Sequence, residues 1–211
     1  RQSYIPGKIS LNYTYANGAL TSARRGHYAG STNLTQTYSF AYDSFLNPTS
    51  LKVGSNTLAT YEYAVGNGQM SQVTFGNGCR IHYQYDTFDR LLQEEFYRGN
   101  SLTQTKVYLY NGEGELAETA LYNGEVSAAN EQQRYRYEYD SLGRVICSQE
   151  IANGSLRQGT ETLYDDANRV KKQSWSLFQT EDGKTTTKTY TGRYTYNTGN
   201  GTMSTADFGT G

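Results

Sequence analysis

The 211 residues suffice for one domain or two, yet 21 tyrosines lead a set of 29 aromatics while isoleucine, leucine and valine together number 28, with mean hydropathy −0.76. That is too little aliphatic material for a thick two-layer core. A formal charge of −1 beside so many aromatics argues against a disordered chain and against a nucleic-acid surface, which needs a basic excess. No run of about eighteen apolar residues is present to cross a membrane as a helix.

In chain order, one phrase recurs: an aromatic, any residue, Tyr, then Asp or Asn. Tyr13-Thr14-Tyr15 opens the series. Phe40-Ala41-Tyr42-Asp43, Tyr61-Glu62-Tyr63 and Tyr83-Gln84-Tyr85-Asp86 come next. Tyr108-Leu109-Tyr110-Asn111, Tyr137-Glu138-Tyr139-Asp140, Thr162-Leu163-Tyr164-Asp165 and Tyr194-Thr195-Tyr196-Asn197 complete it. Eight units, 21 to 32 residues apart at the second Tyr, fill the chain as a single array, with residues 198–211 free to fold over its end or stay loose. In Tyr135-Arg136-Tyr137-Glu138-Tyr139 the strict alternation puts the rings on one sheet face and the charges on the other. A four-residue turn such as Asp140-Ser141-Leu142-Gly143 then leads to a second strand from Arg144, because Asp accepts from amides two residues on and Gly143 tolerates positive φ.

A second class of turn is expected between hairpins. Asn-Gly occurs at 17, 67, 77, 111, 123, 153 and 200, and both residues accept the left-handed conformation of a type I′ turn. The sum is all-β: an antiparallel meander of tandem β-hairpin repeats, about sixteen strands, forming a curved strip or partial β-shell. Glu113 to Leu121 is rich in helix formers, but its bracketing Asn-Gly pairs and its place in the unit favour a strand. Pro6 and Pro48 fall at unit edges or turns.

These units resemble the RHS repeat, also called the YD repeat, which runs as Gly, a spacer, Tyr-x-Tyr-Asp, two or three residues, Gly, Arg, then Leu or Ile. Tyr137 to Val145 matches almost throughout, Phe75-Gly76-Asn77-Gly78 leads into Tyr83 to Leu91, and Asp165 to Val170 is a third copy. The resemblance implies a β-strip that spirals into a hollow shell. In bacterial polymorphic toxins and toxin complexes such shells enclose a toxic C-terminal polypeptide, and in teneurin-like proteins a similar barrel serves adhesion outside the cell. It therefore implies a secreted or cell-surface parent, neighbouring repeats as partners, and an enclosed polypeptide. The opening Arg1-Gln2-Ser3 and the lack of the family's Asp-Pro-containing core read as a wall fragment of a larger protein. The units at 15 and 63 lack the Asp, and those at 42, 63, 110 and 196 lack the Arg, which predicts looser turns there.

Neither catalytic, cofactor nor metal residues are expected. His27 and His82 have no partner evident in sequence, and Asp165-Asp166 and Glu94-Glu95 read as turn and surface charge, since adjacent strand residues face opposite ways. Cys79 and Cys147 read as idle thiols. The pairs Asp86 and Arg90, Asp140 and Arg144, and Asp165 and Arg169 read as a repeated turn clamp, each worth less than about 1 kcal/mol if exposed. The alternative to a scaffold is a Tyr face that stacks on a glycan or partner protein. Trp175 and Phe178, in the irregular stretch from Trp175 to Thr189, are its candidate ligand face. Weakly guarded edge strands near Ile9 to Tyr15 and Tyr190 to Tyr196 predict edge-to-edge self-association.

Overall fold

The computed structural model describes residues 2–5, 9–29, 32–181 and 183–210. None of them is helical; seventeen strands form. The chain divides into two compact units, Arg1–Thr103 and Gln104–Gly211. The first holds β1 (Gln2–Ile5), β2 (Ile9–Ala16), β3 (Ala19–Ala29), β4 (Thr32–Tyr42), β5 (Pro48–Val53), β6 (Asn56–Tyr63), β7 (Met70–Phe75), β8 (Cys79–Tyr85) and β9 (Leu91–Arg98). β10 (Ser101–Tyr110) opens the second. It continues through β11 (Leu116–Asn123), β12 (Glu131–Tyr139), β13 (Val145–Ala152), β14 (Ser155–Tyr164), β15 (Val170–Glu181), β16 (Lys184–Tyr196) and β17 (Met203–Thr210).

Within each unit every strand pairs antiparallel with the next one in the chain, from β1 to β9 and from β10 to β17. The helix-prone stretch is strand, as β11. Among the described residues the buried hydrophobics are Ala59, Val73, Ala120 and Tyr122, which is the thin core that the shortage of aliphatic residues implies. In β12, Tyr135, Tyr137 and Tyr139 are half-buried while Arg136 and Glu138 stand exposed on the other face.

Two sequence expectations need correction. The strands at Ile9–Tyr15 and Tyr190–Tyr196 are not edges. β1 lies along β2, and residues 203–210 form β17 along β16. Of the seven Asn-Gly pairs, only Asn17-Gly18 and Asn153-Gly154 have positive φ at both residues, the type I′ signature. Asn111-Gly112 instead opens a signature turn, with Asn111 in the place of Asp. Pro48 opens β5, where no amide is required of it; Pro6 lies outside the described residues.

A feature that the sequence does not announce recurs in all eight repeats. The hairpin register slips by one residue at Tyr15, Tyr42, Tyr63, Tyr85, Tyr110, Tyr139, Tyr164 and Tyr196. In the repeat at Tyr139, Glu138 lies opposite Cys147 but Tyr139 opposite Val145, so Ile146 is the extra residue. Such a bulge bends its strand and sharpens the local twist. It also ends the regular ladder at the signature turn.

Candidate functional site

The repeated turn is built from one carboxylate. Asp86 Oδ1 accepts from the backbone N–H of Phe88 (2.8 Å) and Arg90 (2.9 Å), and Oδ2 accepts from Arg90 Nε (2.7 Å). Asp140 does the same with Leu142 and Arg144, and Asp165 with Ala167 and Arg169. Where Arg is missing, the geometry survives with amides. Asn47 Nδ2 donates to Asp43 Oδ2 (3.0 Å), and Asn111 Nδ2 donates to Glu115 Oε2 (2.7 Å). The fourth turn residue is left-handed in all five: Leu46 (φ 65°), Asp89 (63°), Gly114 (89°), Gly143 (73°) and Asn168 (62°). The expectation of looser turns is thus met at Ala64 and Asn197, where loops one residue longer close on Gln69 and Thr202, and not at Asp43 or Asn111.

Charge follows this geometry. The Arg144 and Arg169 side chains, foremost, hold the carboxyls of Asp140 and Asp165 below the usual range, aided by the turn amides. At Asp86 burial pushes upward, but the Arg90 backbone N–H and guanidinium outweigh it, and the carboxyl is lowered.

The arginines also reach forward. The Arg144 guanidinium lies 4.5 Å from the ring centre of Tyr164, in the next repeat, and donates to Asn168 Oδ1 at 2.7 Å. Arg169 lies 4.3 Å over Tyr196. A guanidinium over an aromatic face is attracted by the ring's quadrupole. The clamp is therefore not confined to its own turn.

The second signature Tyr reaches the other way. Its hydroxyl donates to a backbone carbonyl of the preceding repeat: Tyr42 to Leu20 (2.9 Å), Tyr63 to Pro48 (2.9 Å), Tyr85 to Met70 (3.0 Å), Tyr139 to Leu116 (2.8 Å), Tyr164 to Val145 (3.0 Å) and Tyr196 to Val170 (2.7 Å). The register explains the choice. The β11–β12 ladder ends at Glu118 opposite Arg136, two residues short of Leu116, so the Leu116 carbonyl lies beyond the last paired strand position and the Tyr139 hydroxyl supplies its donor. Burial, first of all, pushes the hydroxyls of Tyr63, Tyr85 and Tyr139 upward in pKa, which keeps the donor proton in place.

The charged face carries its own clusters. Arg134 in β12 is held by Glu118 of the neighbouring strand and by Glu131 (2.5 Å), and Arg136 Nε donates to Glu118 Oε2 (2.9 Å). His82 does have partners. Glu95 sits opposite it, 3.6 Å from Nδ1, and the Tyr97 ring packs edge-on at 6.4 Å beneath Arg80. Both clusters include a cross-strand partner that is far away in sequence, Glu118 for Arg134 and Glu95 for His82. Among the described residues no group of three or more His, Cys, Asp or Glu is placed to hold a metal ion.

The second signature Tyr thus serves the preceding repeat. Tyr13, Phe40, Tyr61, Tyr83, Tyr108, Tyr137 and Tyr194 precede the bulge by two residues and alternate with the opposite face. Trp175 and Phe178 do not make one ligand face. They are three residues apart in a strand without register shift against β16, which places them on opposite faces. Phe178 covers Gly159, 3.7 Å from where a Cβ would stand there, and Trp175 sits opposite Tyr190. Cys79 and Cys147 are free thiols, and burial pushes Cys147 up in pKa.

No protein-family model matches the chain, and no curated protein matches it in sequence. Solved structures do match its fold. The crystal structure of TcdB2-TccC3-Cdc42 superposes at a TM-score of 0.71 with 18% identity, over 96% of this chain and 11% of that one. TcdB2-TccC3 without its hypervariable C-terminal region superposes at 0.63 with 15% identity, over 95% and 12%. At these identities the likeness carries the fold alone. The chain spans about a tenth of the length of the solved chains it matches.

Proposed function

We propose that the chain is a wall segment of an RHS/YD-repeat shell, in a secreted or cell-surface protein, that encloses or presents a C-terminal polypeptide such as a toxin. The observation that carries this is the reuse of one joint. The bulge recurs in eight repeats, and six hydroxyl contacts join a repeat to the one before it. A wall needs identical joints, whereas a binding site breaks the pattern locally. The fold likeness to TcdB2-TccC3 supports the same reading. In this reading the chain is structural and not catalytic.

The test is protection. In the longer protein carrying these repeats, the C-terminal polypeptide is expected to resist added protease, and deletion of residues 104–211 is expected to expose it. Equal cleavage with and without the deletion overturns the proposal. The alternative, a glycan- or protein-binding module using the Tyr face, gains no support from hydroxyls already engaged by backbone carbonyls. A glycan array is expected to be blank, and so is a broad screen for hydrolase turnover.

A further inference from the structure

The clamp at Asp43 is built without a cation. In the repeats at Asp140 and Asp165 the carboxylate is paired with an arginine four residues on, Arg144 Nη2 at 2.6 Å and Arg169 Nη2 at 2.8 Å from Oδ2. Each guanidinium also lies over the second Tyr of the next repeat, Tyr164 or Tyr196, and Arg144 donates to Asn168 Oδ1. At Asp43 the fourth residue on is Asn47, which gives Oδ2 one neutral donor. Among the described residues no cation pairs with this carboxylate. Burial pushes its pKa upward, but the Asn47 side chain and the amides of Asn47 and Phe45 outweigh it, and the carboxyl is lowered. A cleft of about 650 Å³ lies between this turn and the next, with Asp43, Phe45, Tyr63, Val65 and Asn67 in its lining. Tyr63 stands in the place of Tyr164, and Asn67 in that of Asn168, in a loop one residue longer. The Tyr63 hydroxyl is tied to the Pro48 carbonyl, and Asn67 Nδ2 to Gln69 and Asp89, so the ring and the Asn67 side chain are held at the cleft.

We propose that this cleft binds one arginine side chain of a second polypeptide, whose guanidinium pairs with Asp43 Oδ2, stacks on Tyr63 and donates to Asn67 Oδ1. These are the kinds of group that Arg144 uses in its own repeat, so the molecule itself displays the chemistry that fits. A carboxylate, an aromatic face and an amide oxygen favour a guanidinium over an ammonium, because only the former has forked donors and a flat surface to stack. The mouth of the cleft favours a polypeptide as the source. Phe45 is 84% exposed and Val65 fully exposed there, which sets apolar contact beside the cleft for the residues that flank the arginine. The site lies between the β4–β5 and β6–β7 turns, within the first unit, and at the turn rim rather than on the Tyr face. It stands apart from the shell reading, since a wall and a binding module can each carry it.

The probe is the peptide acetyl-Leu-Arg-Leu-amide, titrated against the intact chain by nuclear magnetic resonance. Saturable shifts centred on residues 43–47 and 63–69 are the expected result. Peptides with lysine or with citrulline, the uncharged isostere, in the place of arginine are expected to bind about tenfold more weakly. Asp43→Asn is expected to lose binding with the fold kept, because Asn111 forms the same turn in its own repeat. Asn47→Arg is expected to fill the cleft from within: peptide binding is lost and the thermal midpoint rises, and the rise disappears when Asp43→Asn is added. Equal affinity of the three peptides, shifts elsewhere, or no binding at millimolar peptide overturns the inference. Unchanged peptide binding in Asn47→Arg overturns it as well. So does binding of N-acetylargininamide as tight as that of the peptide, because the occupant is then a small guanidinium compound and not a polypeptide.

Discussion

At the scale of the residue, the second signature Tyr combines two roles that a phenylalanine would separate. Its ring packs, and its hydroxyl satisfies a carbonyl that the bulge leaves outside the ladder. Tyr139→Phe is expected to cost about 1 kcal/mol in urea denaturation, the net worth of a neutral hydrogen bond. Tyr139→Ala is expected to cost about 2 kcal/mol, since the half-buried ring is lost as well. Leu46 illustrates the opposite case. It holds φ 65° and is 53% exposed, where its counterparts Gly114 and Gly143 are at ease. Leu46→Gly is expected to raise stability by about 1 kcal/mol by removing left-handed strain, less the entropy glycine loses on folding. Gly143→Ala is expected to lower it by a similar amount, because φ is 73° and Glu115 Oε1 stands 3.1 Å from the new Cβ.

At the scale of the element, the turn is a charged object and so has a pH dependence of definite sign. The folded pKa values of Asp140 and Asp165 lie below their unfolded values. Their contribution is complete above the unfolded carboxylate range and is lost as pH falls through the folded pKa. The thermal midpoint is therefore expected to drop on acidification, and the double variant Asp140→Asn, Asp165→Asn to show a flatter acid limb in circular dichroism melts; an unchanged limb would remove these turns as its source. Gly76 makes a different demand. A Cβ there would lie 2.2 Å from the Thr57 carbonyl oxygen, so Gly76→Ala is expected to cost about 2–3 kcal/mol by forcing the end of β7 away from the start of β6. Much of this level was legible in the sequence. The Asp-to-Arg spacing, the alternating tyrosines and the strand at Leu116–Asn123 all arise from local chemistry. The fate of Asn111-Gly112 does not, because the same dipeptide suits two turns and only the ladder on either side selects one. Nor do the partners of His82, since Glu95 is brought opposite it by register alone.

At the scale of the whole molecule, composition and construction agree. A chain poor in aliphatics gains little from a central core, and stability is distributed instead over joints between neighbouring repeats. Trp175 and Phe178 do not share a surface for a countable reason: they are three positions apart, and a strand without a bulge sends such residues to opposite faces. Phe178 and Gly159 then form a packing pair across β14 and β15, and Phe178→Ala is expected to weaken the second unit without altering any binding, read by urea midpoint.

The tyrosine contact also gives each repeat a sense. In the six contacts each repeat is a plug toward the one before it, which serves as its socket: the hydroxyl points back along the chain, and the carbonyl receives the next repeat. Two sockets do not fit each other, nor do two plugs. A two-fold symmetric pairing places like against like, so joints of this kind cannot close a pair of identical edges. They admit only head-to-tail succession, in which the order of the repeats and the direction of growth are the same fact.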